Sequence, residues 1–250
     1  MHVSIINMNV DVTSVNHAKK IICGWALKLE KNGRYVCVSN VHMCMESFDD
    51  RSYAEIINRA DLTVPDGMPV FLAQRALGQM NAQQVRGEDL TLAICLEAEE
   101  KGLSVGFLGS TTKLLSQLEC VLIRQFPKLD ISYISTLPFV AQSDENDRQY
   151  VGAINDANVD VLFVGLGCPK QEIWMAERKD QVDCTMIGVG AAFDFIAGNK
   201  KHAPLWMQKL SLEWLFRFLS EPRRLWWRYL KHNPRFVYYF ILQLLGRKYD

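Results

Sequence analysis

The chain has 250 residues, of which 49% are hydrophobic and 22% are charged, and its 28 basic residues balance its 28 acidic ones. This composition excludes an intrinsically disordered or fibrous protein. The length suits one large domain, or one domain with an appendage.

The chain starts with MHVSIINMNVDVTS, in which we expect no secretory signal. Further along, short apolar and β-branched runs predict strands at Arg34–Asn40, Leu103–Leu108, Ile131–Ile134, Val159–Val164 and Cys184–Val189. Helical periodicity predicts helices at Asp50–Ala60, Leu90–Lys101, Thr112–Phe126, Asp144–Ala157 and Gln171–Lys179. This alternation predicts an α/β fold with a parallel sheet covered by helices.

Several predicted strands run directly into glycine. The glycines are Gly106 and Gly109, Gly165 and Gly167, and Gly188 and Gly190. Glycine allows a tight turn and a close approach of the backbone to a ligand. We therefore expect ligand binding at the carboxyl ends of the strands.

The last fifty residues differ from the rest in charge. Residues 200–250 hold eleven basic and three acidic residues, whereas residues 1–199 hold seventeen and twenty-five. A tail with a net charge of +8 predicts an anionic partner: a nucleic acid, a phosphate-rich ligand or a membrane surface.

Pro204, Pro222 and Pro234 predict a division of this tail into three helical pieces. In the middle piece, Arg223–His232, a basic face opposes an aromatic and apolar one. The last piece, Phe236–Leu245, is apolar but too short to span a bilayer. The pattern suits an interfacial membrane element, and equally a pair of core-packing helices with a basic rim or an oligomer contact.

Two polar residues follow predicted strands and could carry chemistry. Asp66 lies between Pro65 and Gly67, where it could act as a general base or stabilise the turn. Asn40 could bind sugar hydroxyls or cap a helix. Nearby His42 has no partner at metal-ligand spacing, so we interpret it as structural.

Three further segments could bind a nucleotide. Arg86 could neutralise a phosphate or remain an exposed side chain. The turn at Gly167, followed by Lys170, is similar to a phosphate cradle but is neither a Walker loop nor a complete dinucleotide motif. After Gly190, the carboxylate of Asp194 could bind a base or a ribose.

Some expected motifs are absent from the sequence. No Asp-x-Asp occurs, so a metal-bridged nucleotide-sugar site has no obvious ligands. The seven cysteines form no C-x-x-C pair, which predicts reduced thiols in a cytoplasmic protein. No nucleic-acid recognition helix or aromatic RNA motif is present, so we expect no nucleic-acid partner.

Taken together, these motifs resemble the WecG/TagA/CpsF family of bacterial glycosyltransferases (glycosyltransferase family 26) from about Val36 to Tyr229. In chain order they are Asn40, Asn58-Arg-Ala-Asp61, Pro65-Asp66-Gly67, Arg86-Gly-Glu-Asp89, Gly167-Cys-Pro-Lys170-Gln171-Glu172, Gly188-Val-Gly190-Ala-Ala-Phe-Asp194 and Glu213-Trp-Leu-Phe-Arg217. Their combination is far more specific than any one of them.

The resemblance implies a Rossmann-like enzyme in residues 1–200 and a basic helical, membrane-associating appendage in residues 201–250. Asp66 matches the family's proposed base, and Asn40 and Gln171 match polar sugar-site positions. The donor-binding residues would be Arg86, Gly109, Gly167, Lys170, Gln171, Gly190 and Asp194. The arginines facing the acceptor diphosphate and the membrane would be Arg217, Arg223, Arg224 and Arg228.

The implied reaction is inverting transfer of a hexose from a UDP-sugar to a polyprenyl-diphosphate-linked sugar in the synthesis of a cell-surface polymer or exopolysaccharide. We expect no cofactor and no metal, a peripheral location on the cytoplasmic membrane face, and an ability to self-associate. Val38 stands where some members have threonine, so the donor could be of the UDP-glucose or the UDP-N-acetylmannosamine type. The alternative function is a non-catalytic regulator that binds nucleotide sugars.

Overall fold

The computed structural model describes residues 1–28, 33–137, 144–204, 206–207 and 212–249, without the side chains of residues 144–147 and Arg224. The chain begins with an antiparallel hairpin formed by β1 (His2–Ile5) and β2 (Met8–Asp11). A six-stranded parallel sheet follows, in the order β4-β3-β8-β7-β5-β6. Its strands are β3 (Arg34–Ser39), β4 (Leu62–Pro65), β5 (Ser104–Leu108), β6 (Asp130–Ser135), β7 (Val161–Val164) and β8 (Thr185–Gly188).

Helices connect the strands. They are α1 (Val15–Ala26), α2 (Val41–Asp49), α3 (Arg51–Asn58), α4 (Met68–Ala76), α5 (Gly87–Lys101), α6 (Thr112–Gln125), α7 (Asp144–Asp156), α8 (Lys170–Arg178) and α9 (Ala192–Ile196). The tail contains α10 (Glu213–Ser220) and α11 (Pro222–Leu244). The Rossmann-like α/β fold is confirmed, and the five predicted strands and five predicted helices are present with their ends shifted by at most a few residues.

The sheet buries both of its faces, as its apolar strands require. On β3, the side chains of Val36 and Val38 join a core with α1, α5, α6 and α9. Tyr35 and Cys37 point to the opposite core, which includes α2, α3, α7, α8 and the N-terminal hairpin. Because helices cover both faces of the sheet, a ligand can reach it at the ends of the strands.

The strands end together at one edge of this sheet. Ser39 of β3 pairs with Pro65 of β4, and Gly188 of β8 lies opposite both Cys37 of β3 and Val164 of β7. Because these strands are parallel and in register, the segments that follow them meet at this edge. Most of the candidate site residues predicted from the sequence therefore lie near the carboxyl ends of these strands.

The tail corrects one expectation. Pro234 does not interrupt a helix, because α11 runs from Pro222 through Pro234 to Leu244. Anchors on both sides of the proline explain this: Leu225 and His232 are buried before it, and Phe236 is buried after it. Of the first predicted tail piece, between Pro204 and Pro222, the structure describes residues 206, 207 and 212–221, which include α10.

The tail packs on the body from both sides. On α10, the guanidinium of Arg217 lies over the Phe195 ring at 5.4 Å. On α11, Phe236 enters the core that contains α2, and Arg235 forms an ion pair with Asp49. The tail thus joins helices that cover opposite faces of the sheet. Among the helices that can be described, none combines the length and apolarity needed to cross a membrane.

Candidate active site

Asp66 follows the last residue of β4 in a turn that β3 holds in place. The carbonyl oxygen of Ser39 accepts hydrogen bonds from the backbone N–H groups of Asp66, at 2.9 Å, and Gly67, at 3.1 Å. The Gln84 side-chain amide donates to the Asp66 carbonyl oxygen at 2.6 Å. These bonds fix the backbone, so the direction of the carboxylate is set by the fold.

The Asp66 carboxylate faces the start of α5. Its Oδ1 accepts a hydrogen bond from the Gly87 N–H at 2.9 Å. A side chain on Gly87 would lie 3.4 Å from the Val189 carbonyl oxygen and 3.4 Å from a methyl group of Val38. The close packing around Gly87 places Asp66 beside the turn that leads from β8 to Gly190.

Asn40 contacts the turn after β4 that carries Asp66. Its Oδ1 caps α2 by accepting a hydrogen bond from the Met43 N–H at 3.2 Å. A Cβ atom on Gly67 would stand only 3.2 Å from the Asn40 Cα and Cβ atoms, so the turn after β4 packs directly on Asn40. The capping role of Asn40 is thus confirmed, and it engages the amide oxygen rather than the Nδ2 group.

Charged residues from α5 and α10 surround Asp66. Arg86 caps the start of α5, and its guanidinium lies 3.2 Å from the carboxylate of Glu213 on α10. The pKa of Asp66 is raised to about 6, mainly by burial and also by the charge of Glu213, while the Gly87 N–H, Arg217 and Arg86 oppose the rise. A carboxylate with this pKa is a stronger base than an exposed aspartate and is still ionised at neutral pH.

The turn after β7 is held by a buried side chain. Gly167 has φ of +81°, a conformation that glycine adopts without strain. Its N–H donates to Oε1 of Gln171 at 3.1 Å, and Nε2 of Gln171 donates to Glu172 at 2.6 Å. Gln171 therefore stabilises the glycine turn, and both its amide oxygen and its amide nitrogen form hydrogen bonds within the protein.

Glu172 is a residue of this site that the sequence reasoning did not select. It is fully buried, and Tyr53 donates a hydrogen bond to its Oε2 at 3.1 Å. Burial raises the pKa of Glu172 to about 7, against the lowering effect of the Gln171 and Tyr53 hydrogen bonds. The raised pKa comes from burial in the folded chain, and the Tyr53 partner lies 119 residues away, so no local sequence signal marked Glu172.

The other residues that the sequence predicts to bind the donor follow strands at the same edge. Gly109 follows β5, and its N–H bonds to the Ser135 carbonyl oxygen. Gly190 follows β8, within reach of Gln171. Asp194, on α9, pairs with Lys200 at 3.3 Å, and Lys200 also pairs with Glu221 at the start of α11.

The predicted cations do not all lie together. Lys170 is exposed at the first residue of α8, and Arg223 is exposed near the start of α11. Arg228 is half-buried, with its guanidinium 5.7 Å from the Tyr229 ring centre. Arg224 lies in α11, but its side chain is outside the described residues.

The structure therefore brings Asn40, Asp66, Arg86 and Arg217 to one end of the sheet, with the Gly167 and Gly190 turns beside them. A half-buried carboxylate next to cations and glycine turns can accept a proton while the cations offset charge on a phosphate group.

Comparison with known proteins identifies similar chains. The model of the family described as glycosyl transferase WecG/TagA/CpsF matches residues 3–250. An N-acetylglucosaminyldiphosphoundecaprenol N-acetyl-beta-D-mannosaminyltransferase of Staphylococcus aureus is 30% identical over 238 residues, which is 94% of this chain and 91% of that protein. A protein of the same name from Bacillus spizizenii is 26% identical over 209 residues, which is 83% of this chain and 79% of that protein. The match over nearly the whole length shows that this chain belongs to the WecG/TagA/CpsF family of glycosyltransferases.

Proposed function

We propose that this protein transfers a sugar from a UDP-sugar, with inversion, to a sugar linked to polyprenyl diphosphate. N-acetylmannosamine is the first candidate for the transferred sugar, because the relatives are named as N-acetyl-beta-D-mannosaminyltransferases. Their names also specify an N-acetylglucosaminyl-diphosphoundecaprenol acceptor.

The placement of Asp66 carries this proposal. Its Oδ1 is held by the Gly87 N–H, so Oδ2 is the oxygen that accepts the proton of the acceptor hydroxyl. The hydroxyl oxygen then bonds to the anomeric carbon as the bond from that carbon to the UDP oxygen breaks. UDP leaves with the bonding electrons on its diphosphate, and the proton remains on Asp66.

Cationic side chains stabilise the departing diphosphate in this mechanism. Arg86 and Arg217 both act electrostatically on Asp66, so they lie near enough to act on negative charge that develops beside it. Preorganised positive groups of this kind stabilise developing negative charge without a metal ion. Together with the lack of an Asp-x-Asp motif, they support transfer that needs no divalent cation.

The two faces of α11 support a peripheral position on the cytoplasmic membrane face. Leu225, His232 and Phe236 form the face buried on the body. The opposite face exposes large apolar side chains at helical spacing: Trp226, Trp227, Leu230, Val237, Tyr238, Ile241 and Leu244. Exposed tryptophan, tyrosine and leucine beside basic residues are typical of an interfacial helix. Residues 1–200 would then supply the catalytic base, and residues 201–250 would supply Arg217 and meet the lipid acceptor.

A donor screen tests this function. The purified full-length chain is mixed with a short-chain polyprenyl-diphosphate N-acetylglucosamine and with UDP-N-acetylmannosamine, UDP-glucose or UDP-glucuronate, and the lipid product is measured by mass spectrometry. We expect product from UDP-N-acetylmannosamine at the same rate with and without added Mg²⁺ or Mn²⁺. UDP-glucose is the second candidate, since Val38 replaces a threonine found in some members.

The same experiment distinguishes the proposed transferase from a non-catalytic regulator that binds nucleotide sugars. Tight binding of UDP-sugars with no lipid product and no release of UDP from any donor would indicate a non-catalytic regulator and would contradict the proposal. A strict requirement for Mg²⁺ or Mn²⁺ would contradict the metal-independent mechanism alone.

A further inference from the structure

A group of metal-binding side chains joins α11 to α2. His42 and Glu46 lie one helical turn apart on α2, and His232 reaches them from α11. The Nε2 atoms of His42 and His232 lie 3.6 Å and 3.5 Å from the same oxygen, Oε1 of Glu46. One ligand atom from each of the three residues lies within 4.8 Å of the others.

These distances suit a tetrahedral metal. Zinc binds imidazole nitrogen and carboxylate oxygen at roughly 2.0–2.2 Å, which places tetrahedral ligand atoms roughly 3.3–3.6 Å apart. Two histidines and one carboxylate, with one position left for water, are a zinc-type ligand set. The observed spacings to Glu46 therefore need little adjustment to hold such an ion.

The setting of His232 also suits a metal. His232 is only 3% exposed and its Nε2 faces the Glu46 carboxylate, so the ring is already held in the orientation that a ligand would need.

We propose that His42, Glu46 and His232 form a binding site for a zinc-class transition-metal ion that fastens the C-terminal helix to α2. The ion would be structural and would take no part in sugar transfer. Both helices contribute ligands, so the ion would stabilise the packed position of the tail. This proposal does not depend on the proposed function.

Two cations of α11 oppose the ion electrostatically, Arg228 near His42 and Lys231 near Glu46. Lys231 Nζ lies 3.9 Å from Glu46 Oε1 and 3.8 Å from Asp49, on a side chain that is partly exposed and free to withdraw. Arg235 is engaged with Asp49. Removal of the Lys231 charge should therefore strengthen metal binding. If no metal site existed, the same change would only remove the ion pair between Lys231 and Glu46.

Cobalt titration tests the site. The full-length chain, without a histidine tag, is kept reduced and titrated with Co²⁺, whose visible absorption reports tetrahedral nitrogen and oxygen ligands. We expect one Co²⁺ per chain, displaced by Zn²⁺, and loss of this spectrum in His42→Gln and His232→Gln. His202→Gln is the matched control, because His202 pairs with Glu88 instead. Its spectrum should equal that of the wild type.

A second variant guards against a failure to fold. Lys231→Gln lies at an exposed position and should bind Co²⁺ about threefold or more tightly than the wild type. Equal or weaker binding in Lys231→Gln would overturn the proposal. A wild-type chain without a tetrahedral cobalt spectrum, or one whose spectrum survives in folded His42→Gln, would overturn it as well.

Discussion

Arg86, at the start of α5, and Glu213, at the start of α10, form a 3.2 Å ion pair that ties the C-terminal tail to the helix whose first N–H holds Asp66. Glu213 and Arg217 of the same tail helix act on the acidity of Asp66 in opposite directions. The proton affinity of the proposed base therefore depends on where the tail lies.

The tail residues should shift the pH profile of transfer in opposite directions. Glu213→Gln removes a negative charge that raises the pKa of Asp66, so the acidic limb of kcat/KM should move to lower pH. Arg217→Gln removes a positive charge, so the limb should move to higher pH. Arg223→Gln, at an exposed position, is the control and should leave the limb in place. Shifts of the same sign in the first two variants would contradict this coupling.

Asp66 should cost folding stability at neutral pH. Its pKa is raised from 3.8 to about 6, so the folded state binds more protons than the unfolded state between these values, and stability falls as pH rises through that range. Asp66→Asn removes this penalty and should raise the free energy of unfolding at pH 7.5 by about 1–3 kcal/mol.

Chemical denaturation at two pH values measures this effect. The gain from Asp66→Asn should shrink to less than about 1 kcal/mol near pH 4, where the carboxyl group is protonated in the folded state and about half protonated in the unfolded state. Asp89→Asn is exposed on α5 and should change the free energy of unfolding little at either pH. A gain that persists unchanged at pH 4 would show that protonation is not its cause.

The fold was largely predictable because its strands are short apolar runs that end at glycine or another turn residue, as at Val161–Val164. Asn40 and Asp66 were predictable as residues that follow strands. The links between Glu172 and Tyr53, and between His42 and His232, were not, because only the folded chain brings residues 119 and 190 positions apart together. Periodicity reports which side of an element is apolar, not which elements meet.

The sequence did not predict that α11 continues through Pro234, because contacts between distant residues stabilise the helix there. An interior proline costs a helix about 3 kcal/mol, but tertiary contacts on both sides of Pro234 offset this cost. Pro234→Ala should therefore raise the free energy of unfolding by about 1–3 kcal/mol, measured by urea denaturation. Asn233→Ala, one residue earlier, should change it by less than about 1 kcal/mol. A destabilised Pro234→Ala chain would show that the proline itself shapes the tail.

The two faces of α11 should separate folding from membrane attachment. Trp227 is 65% exposed, so Trp227→Ser combined with Leu230→Ser should reduce co-sedimentation with anionic liposomes while Tm stays near the wild-type value. Leu225 is 1% exposed, and Leu225→Ala should lower the free energy of unfolding by about 2–5 kcal/mol. Liposome binding that is indifferent to the exposed pair would argue against this face as the membrane contact.

The most direct test of the proposed base is the single-turnover rate of sugar transfer in Asp66→Asn and Asp89→Asn, each with saturating donor and lipid acceptor. Asparagine keeps the size of the side chain and its bond to the Gly87 N–H but cannot take a proton at neutral pH. Asp66→Asn should be slower than the wild type by about 10²–10⁴-fold, while Asp89→Asn should lie within about twofold. A folded Asp66→Asn chain that transfers sugar at the wild-type rate would contradict the role of Asp66.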